Sequence, residues 1–143
     1  MTYLDTSALV KRFVEEKGSE RVAALILREG PVATAKIAYA EVFAALARKR
    51  RDGALSDRAY VRVRRAVDQD WLGYVRVNLG DEVLRRARDL VRRHPLRAYD
   101  AVHLASALEL KAALDEPVTF VAADARLLEA ARHERLDTLD PEA

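Results

Sequence analysis

The sequence predicts an α/β fold, a three-layer α/β/α sandwich around a central, mainly parallel sheet, and three observations carry that prediction. Short β-compatible segments alternate along the chain with longer stretches of helical apolar spacing. The helical stretches are long enough to serve as crossovers, and crossovers imply parallel strands with helices on both faces. The 143 residues, half of them hydrophobic and about a third charged, suit one globular domain over residues 1–143 with a single core.

The elements follow in order. Tyr3-Leu4 is a short apolar opening that stops at Asp5-Thr6-Ser7, a helix-start signal, after which Ala8, Leu9, Phe13 and Val14 keep helical spacing as far as Gly18. Ser19-Glu20 opens a second helix with Val22, Leu25 and Ile26 on its apolar face, closed by Gly30 and Pro31. Val32-Ala33-Thr34 is β-compatible, and a long helix runs from Lys36 to Asp52, stopped by Gly53. Ser56-Asp57 caps the next helix, which runs toward Asp70. The weak alternation from Trp71 to Val77 predicts a strand, Gly80-Asp81 starts a helix ending near His94-Pro95, and Ala98 to Leu114 is a nearly apolar helix. Pro117 introduces the most hydrophobic strand, Val118 to Ala122; Ala125 to Arg132 is helical, and Leu136 to Leu139 supplies a last edge strand.

Composition removes several chemistries. Without cysteine there are no disulfides, thiolate nucleophiles, zinc-thiolate sites or iron–sulfur clusters, which fits a reducing cytoplasm. Three histidines, His94, His103 and His133, are too few for a histidine-built zinc site. The first residues lack the basic and apolar regions of a signal peptide, and no stretch is long enough to span a membrane. There is no Gly-rich phosphate loop, no Gly-x-Ser-x-Gly elbow and no His-Glu-x-x-His, and Ser7 has no evident His partner. Net charge is only +2, but arginines and lysines crowd residues 48–65 and 85–97, either as solvated helix faces or as a rim for a phosphate backbone.

Four carboxylates carry the chemistry. Asp5 and Asp124 stand at the carboxyl ends of predicted strands, where ligand sites form in open parallel sheets; each is also an ordinary helix cap. Glu41 has Ile37, Ala38, Ala44 and Ala45 as its neighbours on the same helix face, so unless its side chain snorkels to the surface its charge must be neutralised, paired or metal-bound. Asp100 opens a helix otherwise rich in Ala, Val and Leu, beside Leu96, His103 and Leu104; a first-turn Asp also suits the helix dipole. His103 and Ser106 follow at steps of three and border the same groove, whereas Glu109 is turned away from it. Four converging acids repel unless a cation neutralises them, and oxygen-only ligation selects hard ions, Mg²⁺ or Mn²⁺.

Tyr-Leu-Asp-Thr-Ser-Ala-Leu-Val-Lys at residues 3–11, Glu41, Tyr-Asp-Ala-Val-His-Leu-Ala-Ser-Ala at residues 99–107 and Thr-Phe-Val-Ala-Ala-Asp at residues 119–124 together resemble the PIN-domain nucleases. The compact size resembles the VapC-type toxins of toxin–antitoxin pairs, and the likeness covers essentially the whole chain. The resemblance implies a PIN-like fold, with Asp5, Glu41, Asp100 and Asp124 as catalytic metal-binding carboxylates and Thr6 or Ser7 supporting the first of them. It also implies Mg²⁺- or Mn²⁺-dependent endonucleolytic cleavage of RNA by an activated water, a homodimer, and inhibition by a cognate antitoxin. Ala122-Ala123 and Ile37-Ala38-Tyr39-Ala40 stand where the family often carries hydroxyl residues beside the acids. Within the resemblance, a nuclease of RNA processing or of DNA remains an alternative; outside catalysis, so does an RNA-binding module.

Overall fold

The computed structural model describes residues 1–143. Five strands, β1 (Thr2–Leu4), β2 (Val32–Ala35), β3 (Val75–Val77), β4 (Thr119–Val121) and β5 (Asp137–Leu139), form one sheet in the order β3-β2-β1-β4-β5. All four pairings are parallel, so the sheet is wholly rather than mainly parallel. Register is direct: Tyr3 lies opposite Ala33 on one side and Phe120 on the other.

Seven helices cover the sheet: α1 (Thr6–Val10), α2 (Ser19–Glu29), α3 (Ile37–Arg51), α4 (Asp57–Trp71), α5 (Asp81–Arg93), α6 (Ala98–Leu114) and α7 (Ala125–His133). Side chains alternate across a strand, and the alternation assigns each helix to a face. Tyr3, Ala33, Ala35 and Phe120 pack with α5, α6 and α7, while Leu4, Val32 and Val121 pack with α1 to α4. The nearly all-apolar α6 is buried along most of its length, which explains why it shows no polar face in the sequence. The three-layer α/β/α architecture follows from these two cores.

Two boundaries differ from the sequence-based expectation. The first helix stops at Val10, because residues 14–18 are folded into a loop tied by Ser19, whose hydroxyl donates to the Val14 carbonyl and accepts from the Glu16 N–H. Trp71 ends α4 instead of opening a strand, since its ring packs against Tyr39 and Tyr74, and only Val75–Val77 pairs with β2. The Ser56, Asp5 and Asp124 caps form as expected, each side chain accepting a backbone N–H.

The C-terminal tail returns to the start of α2. Gly18 has φ +90°, and a Cβ there would stand 2.9 Å from the Pro141 carbonyl oxygen. Gly18→Ala is therefore expected to destabilise the fold by about 1–3 kcal/mol, through left-handed strain and this backbone contact. A melting temperature equal to the parent's would contradict the seating of the tail against Gly18.

Candidate active site

β1 and β4 are neighbours at the point where the strand order reverses, the position at which open parallel sheets bind ligands. Their carboxyl ends carry Asp5 and Asp124. The Asp5 Oδ1 accepts from the Ala8 N–H at 2.9 Å and the Ser7 hydroxyl at 2.7 Å. The Asp124 Oδ1 accepts from the Arg126 and Leu127 N–H groups at 2.9 and 3.1 Å. Capping and chemistry are thus compatible: one oxygen of each carboxylate holds a helix start, and the other takes no protein donor. Thr34, buried beneath the site, donates to the Leu4 carbonyl at 2.7 Å and pins the strand end that precedes Asp5.

A groove of about 860 Å³ opens at these strand ends, lined by Asp5, Glu41 and Asp100 together with Thr6, Ser7 and His103. Asp124 lies outside it, on an adjoining depression that shares Arg97 and Asp100 with the groove. Asp100 therefore stands between the main groove and the fourth acid. Glu109 points elsewhere, paired with Arg86 at 2.7 Å, and Ser106 is buried with its hydroxyl donating to the Val102 carbonyl.

Glu41 does not meet a wholly apolar surrounding. Its Oε1 accepts from the Thr6 hydroxyl at 2.8 Å and lies 2.8 Å from the His103 Nε2. The other ring nitrogen, Nδ1, lies 2.8 Å from the hydroxyl of the fully buried Tyr3. An ionised Glu41 only accepts, so Nε2 carries a hydrogen and donates to it, while Nδ1 and the Tyr3 hydroxyl share the bond on the other side of the ring. This chain from Tyr3 through His103 occupies one oxygen of Glu41 and leaves Oε2 without a protein partner.

The hydroxyl residues after Asp5 divide their work. Ser7 bonds Asp5 and accepts from the Ala123 N–H at 3.1 Å, linking the β1 end to the β4 end, whereas Thr6 serves Glu41. A backbone N–H from Ala123 thus joins the network at a position whose side chain has no hydroxyl.

Burial pushes the Asp5 carboxyl above its ordinary value, with the nearby Asp100 charge adding to the shift and His103, Ser7 and the Ala8 N–H opposing it. Burial also pushes Glu41 upward, but the His103 hydrogen bond and charge and the Thr6 hydroxyl outweigh it and hold Glu41 below the usual carboxylate value. No lysine or arginine pairs with either residue, and Asp100 has only the exposed Arg97, Nε to Oδ2 3.3 Å. The acidic end of the groove is left short of positive charge.

That donor set fits a hard divalent cation. The free oxygens are all carboxylate, with no sulfur donor and the His103 nitrogens already engaged. No three acids or histidines are gathered closely enough to enclose an ion by themselves. Mg²⁺ keeps several waters and needs only one or two carboxylates, so an open set of this kind suits it better than a closed cage would.

The basic clusters divide by position. Arg48, Lys49 and Arg97 line the groove, whereas Arg58, Arg62 and Arg65 face a separate shallow depression on α4. Arg50 and Arg93 are spent on ion pairs with Asp57 and Glu134. Two polar residues of this region went unread in the sequence. Tyr3 counted only as part of a short apolar opening, and Lys11 only as the last residue of the family-like segment 3–11. A phenol in a buried strand and a lysine closing the run Ala8-Leu9-Val10 were the available signals.

The chain matches the family model described as the PIN domain over residues 2–137. It is 36% identical over 133 residues to two Mycobacterium tuberculosis proteins, the ribonucleases VapC45 and VapC49, covering 93% of this chain and 90% of each relative. A toxin–antitoxin complex from Klebsiella pneumoniae contains a chain of similar fold, with TM-score 0.70 and 14% identity over 99% of this chain and 98% of that one. FitAcB from Neisseria gonorrhoeae aligns with TM-score 0.69 and 18% identity over 99% and 98%. VapBC2 from Rickettsia felis, bound to a promoter DNA fragment, aligns with TM-score 0.66 and 12% identity over 98% of both chains.

Proposed function

The chain belongs to the PIN-domain family, and from that membership we propose that it is a divalent-metal-dependent endoribonuclease, the toxin of a VapBC-type toxin–antitoxin pair. The 36% identity to two proteins named as VapC ribonucleases supports RNA as the substrate and hydrolysis as the reaction. The observation that carries the reading is the convergence of Asp5, Glu41 and Asp100 on one groove, with a free oxygen on each and no lysine or arginine paired to Asp5 or Glu41.

In this reading Asp5, Glu41 and Asp100 would hold Mg²⁺ or Mn²⁺, with Asp124 contributing from the far side of Asp100. Such an ion supplies an activated water and neutralises charge on the reacting phosphate. The rest is done by the chain's own groups. Ser7 and the Ala8 N–H fix the rotamer of Asp5, and Thr6 and His103 fix that of Glu41, so each aims one oxygen into the groove. Arg48, Lys49 and Arg97 attract the polyanion that an acidic pocket alone would repel. A cognate antitoxin, a homodimer and action in the cytoplasm belong to the same proposal, and no helix is long and apolar enough to cross a membrane.

The test is cleavage of structured and unstructured RNA in Mg²⁺, Mn²⁺ and EDTA. The parent and Glu109→Gln are expected to cut in either metal and not in EDTA. Glu41→Gln and Asp100→Asn are expected to lose about 10²- to 10³-fold, the range for removing one preorganised charge-stabilising group. Equal cleavage by all four proteins, or cleavage that survives EDTA, would sink the assignment.

A further inference from the structure

The groove has a second end, built around a buried lysine. Lys11 closes α1, is 5% exposed, and directs its Nζ to Glu16 Oε1 at 3.1 Å and Glu142 Oε2 at 2.9 Å. Lys49 reaches the other oxygen of Glu16 at 3.0 Å. Lys11, Lys49, Glu16 and Glu142 all line the groove that Asp5, Glu41 and Asp100 line, with Arg48 beside them. A buried ammonium needs an anion, and the two available anions are held in different ways.

Glu16 is a fixed bracket. Its backbone is tied by Ser19, and its two oxygens serve the two lysines separately. One carboxylate against two ammonium groups leaves one positive charge uncovered. Glu142, the penultimate residue, supplies the missing anion through its side chain alone. The tail backbone is anchored without it: Arg21 donates to the Asp140 and Ala143 carbonyls, and Pro141 lies against Gly18. A rotation of one side chain, about a third exposed, would empty the position on Lys11 while the tail stayed seated.

We propose that Lys11 and Lys49 form a subsite for a backbone phosphate of the RNA strand, and that Glu142 fills that subsite in the free protein. This rests on the ribonuclease reading above and adds where the strand is held. A phosphate oxygen accepts from the Lys11 ammonium as the Glu142 carboxylate does. α1 sets the Asp5 and Lys11 backbones about 9 Å apart along its axis at 1.5 Å per residue, and both side chains line one groove, so a strand held at Lys11 lies in the same groove as the acids. The groove thus offers a strand an acidic, cation-requiring end and a basic end whose anion is exchangeable.

Binding in EDTA separates this subsite from catalysis. Fluorescence anisotropy of a labelled single-stranded RNA is measured across a salt series for the parent, Glu142→Gln, Lys11→Met and the double variant. Glu142→Gln removes the competing carboxylate, so a strand phosphate neutralises Lys11 outright and releases the cation condensed on it. It is expected to bind about 3- to 10-fold tighter at low salt, with a logarithmic salt slope steeper by about 0.7. Lys11→Met should weaken binding and abolish the gain from Glu142→Gln in the double variant. Should Lys11→Met fail to fold, the Glu142→Gln result decides alone, since its tail anchors are intact. Equal affinity and slope for the parent and Glu142→Gln overturn the subsite. So does a gain seen with a poly-glutamate peptide and not with RNA, which would instead make this a site for an acidic protein. Parallel cleavage assays in Mn²⁺ report on the ribonuclease reading independently: cutting by the parent with unchanged salt slopes removes only the subsite, and a tighter Glu142→Gln complex without cutting removes only the nuclease.

Discussion

Asp5→Asn is expected to lower RNA cleavage by about 10³-fold while leaving the fold as stable as the parent or more so. The two halves of this expectation have separate causes. Asparagine keeps the Oδ1 acceptor for the Ala8 N–H and the Ser7 hydroxyl, so the α1 cap survives. What disappears is the charge, and burial already disfavours that charge, as does Asp100 nearby. The parent's carboxylate is nearly buried with no basic side chain paired to it, and the variant sets that unfavourable charge aside. Thermal melts with and without Mn²⁺ make the separation visible. The parent should gain stability on metal addition, about 2.7 kcal/mol at a hundredfold excess over the dissociation constant. Asp5→Asn should gain little. A variant that melts early and still responds to Mn²⁺ like the parent would show that Asp5 is a structural cap and no more.

His103→Leu is expected to cost both stability and activity, by a different route. The side chain is buried between Tyr3 and Glu41, bonding each at 2.8 Å. Leucine would take the His103 bond from the fully buried Tyr3 hydroxyl, leaving Ser106 and the Ala35 backbone as its polar neighbours, and would leave Glu41 with Thr6 alone. Weakening a buried hydroxyl's bonding and removing half of a carboxylate's partners corresponds to about 3 kcal/mol. For a chain of this size that is a fall in melting temperature on the order of 10 °C. Cleavage should drop by about 10- to 100-fold, the usual effect of removing a group that orients a metal-binding side chain. Two further variants divide the effects. Tyr3→Phe combined with His103→Leu removes the hydroxyl that has lost its His103 bond, and should recover part of the stability and none of the activity. His103→Gln offers an amide N–H to Glu41 and should recover activity in part. If cleavage tracked melting temperature across all three variants, His103 would be a core residue whose contact with Glu41 is incidental.

Much of the fold was legible in the sequence because the signals were local. Caps at Asp5, Ser56 and Asp124, the left-handed Gly30, and the Gly53 stop all act within a few residues of themselves. The long apolar run of α6 required burial on nearly every side, and parallel strands with intervening helices left few topologies to choose from. The two misread boundaries lay where tertiary contacts overrode local preference: Ser19 ending the first helix early, and the aromatic packing around Trp71 extending α4 over an expected strand.

The sequence by itself determined the α/β class and the order of the elements and singled out four acidic residues as candidates, because periodicity, capping and the anomaly of a carboxylate among alanines are properties of neighbours along the chain. Only the tertiary structure decided how those acids are arranged. Asp5, Glu41 and Asp100 share the main groove while Asp124 stands beyond Asp100, and most of the arginines expected at the rim point elsewhere. It also decided the partners, His103 for Glu41, Tyr3 for His103 and Glu142 for Lys11, which lie 62, 100 and 131 residues apart along the chain. Such pairs are set by strand order and helix packing, and no periodicity along the chain encodes which distant side chain will fill a hydrogen-bond position.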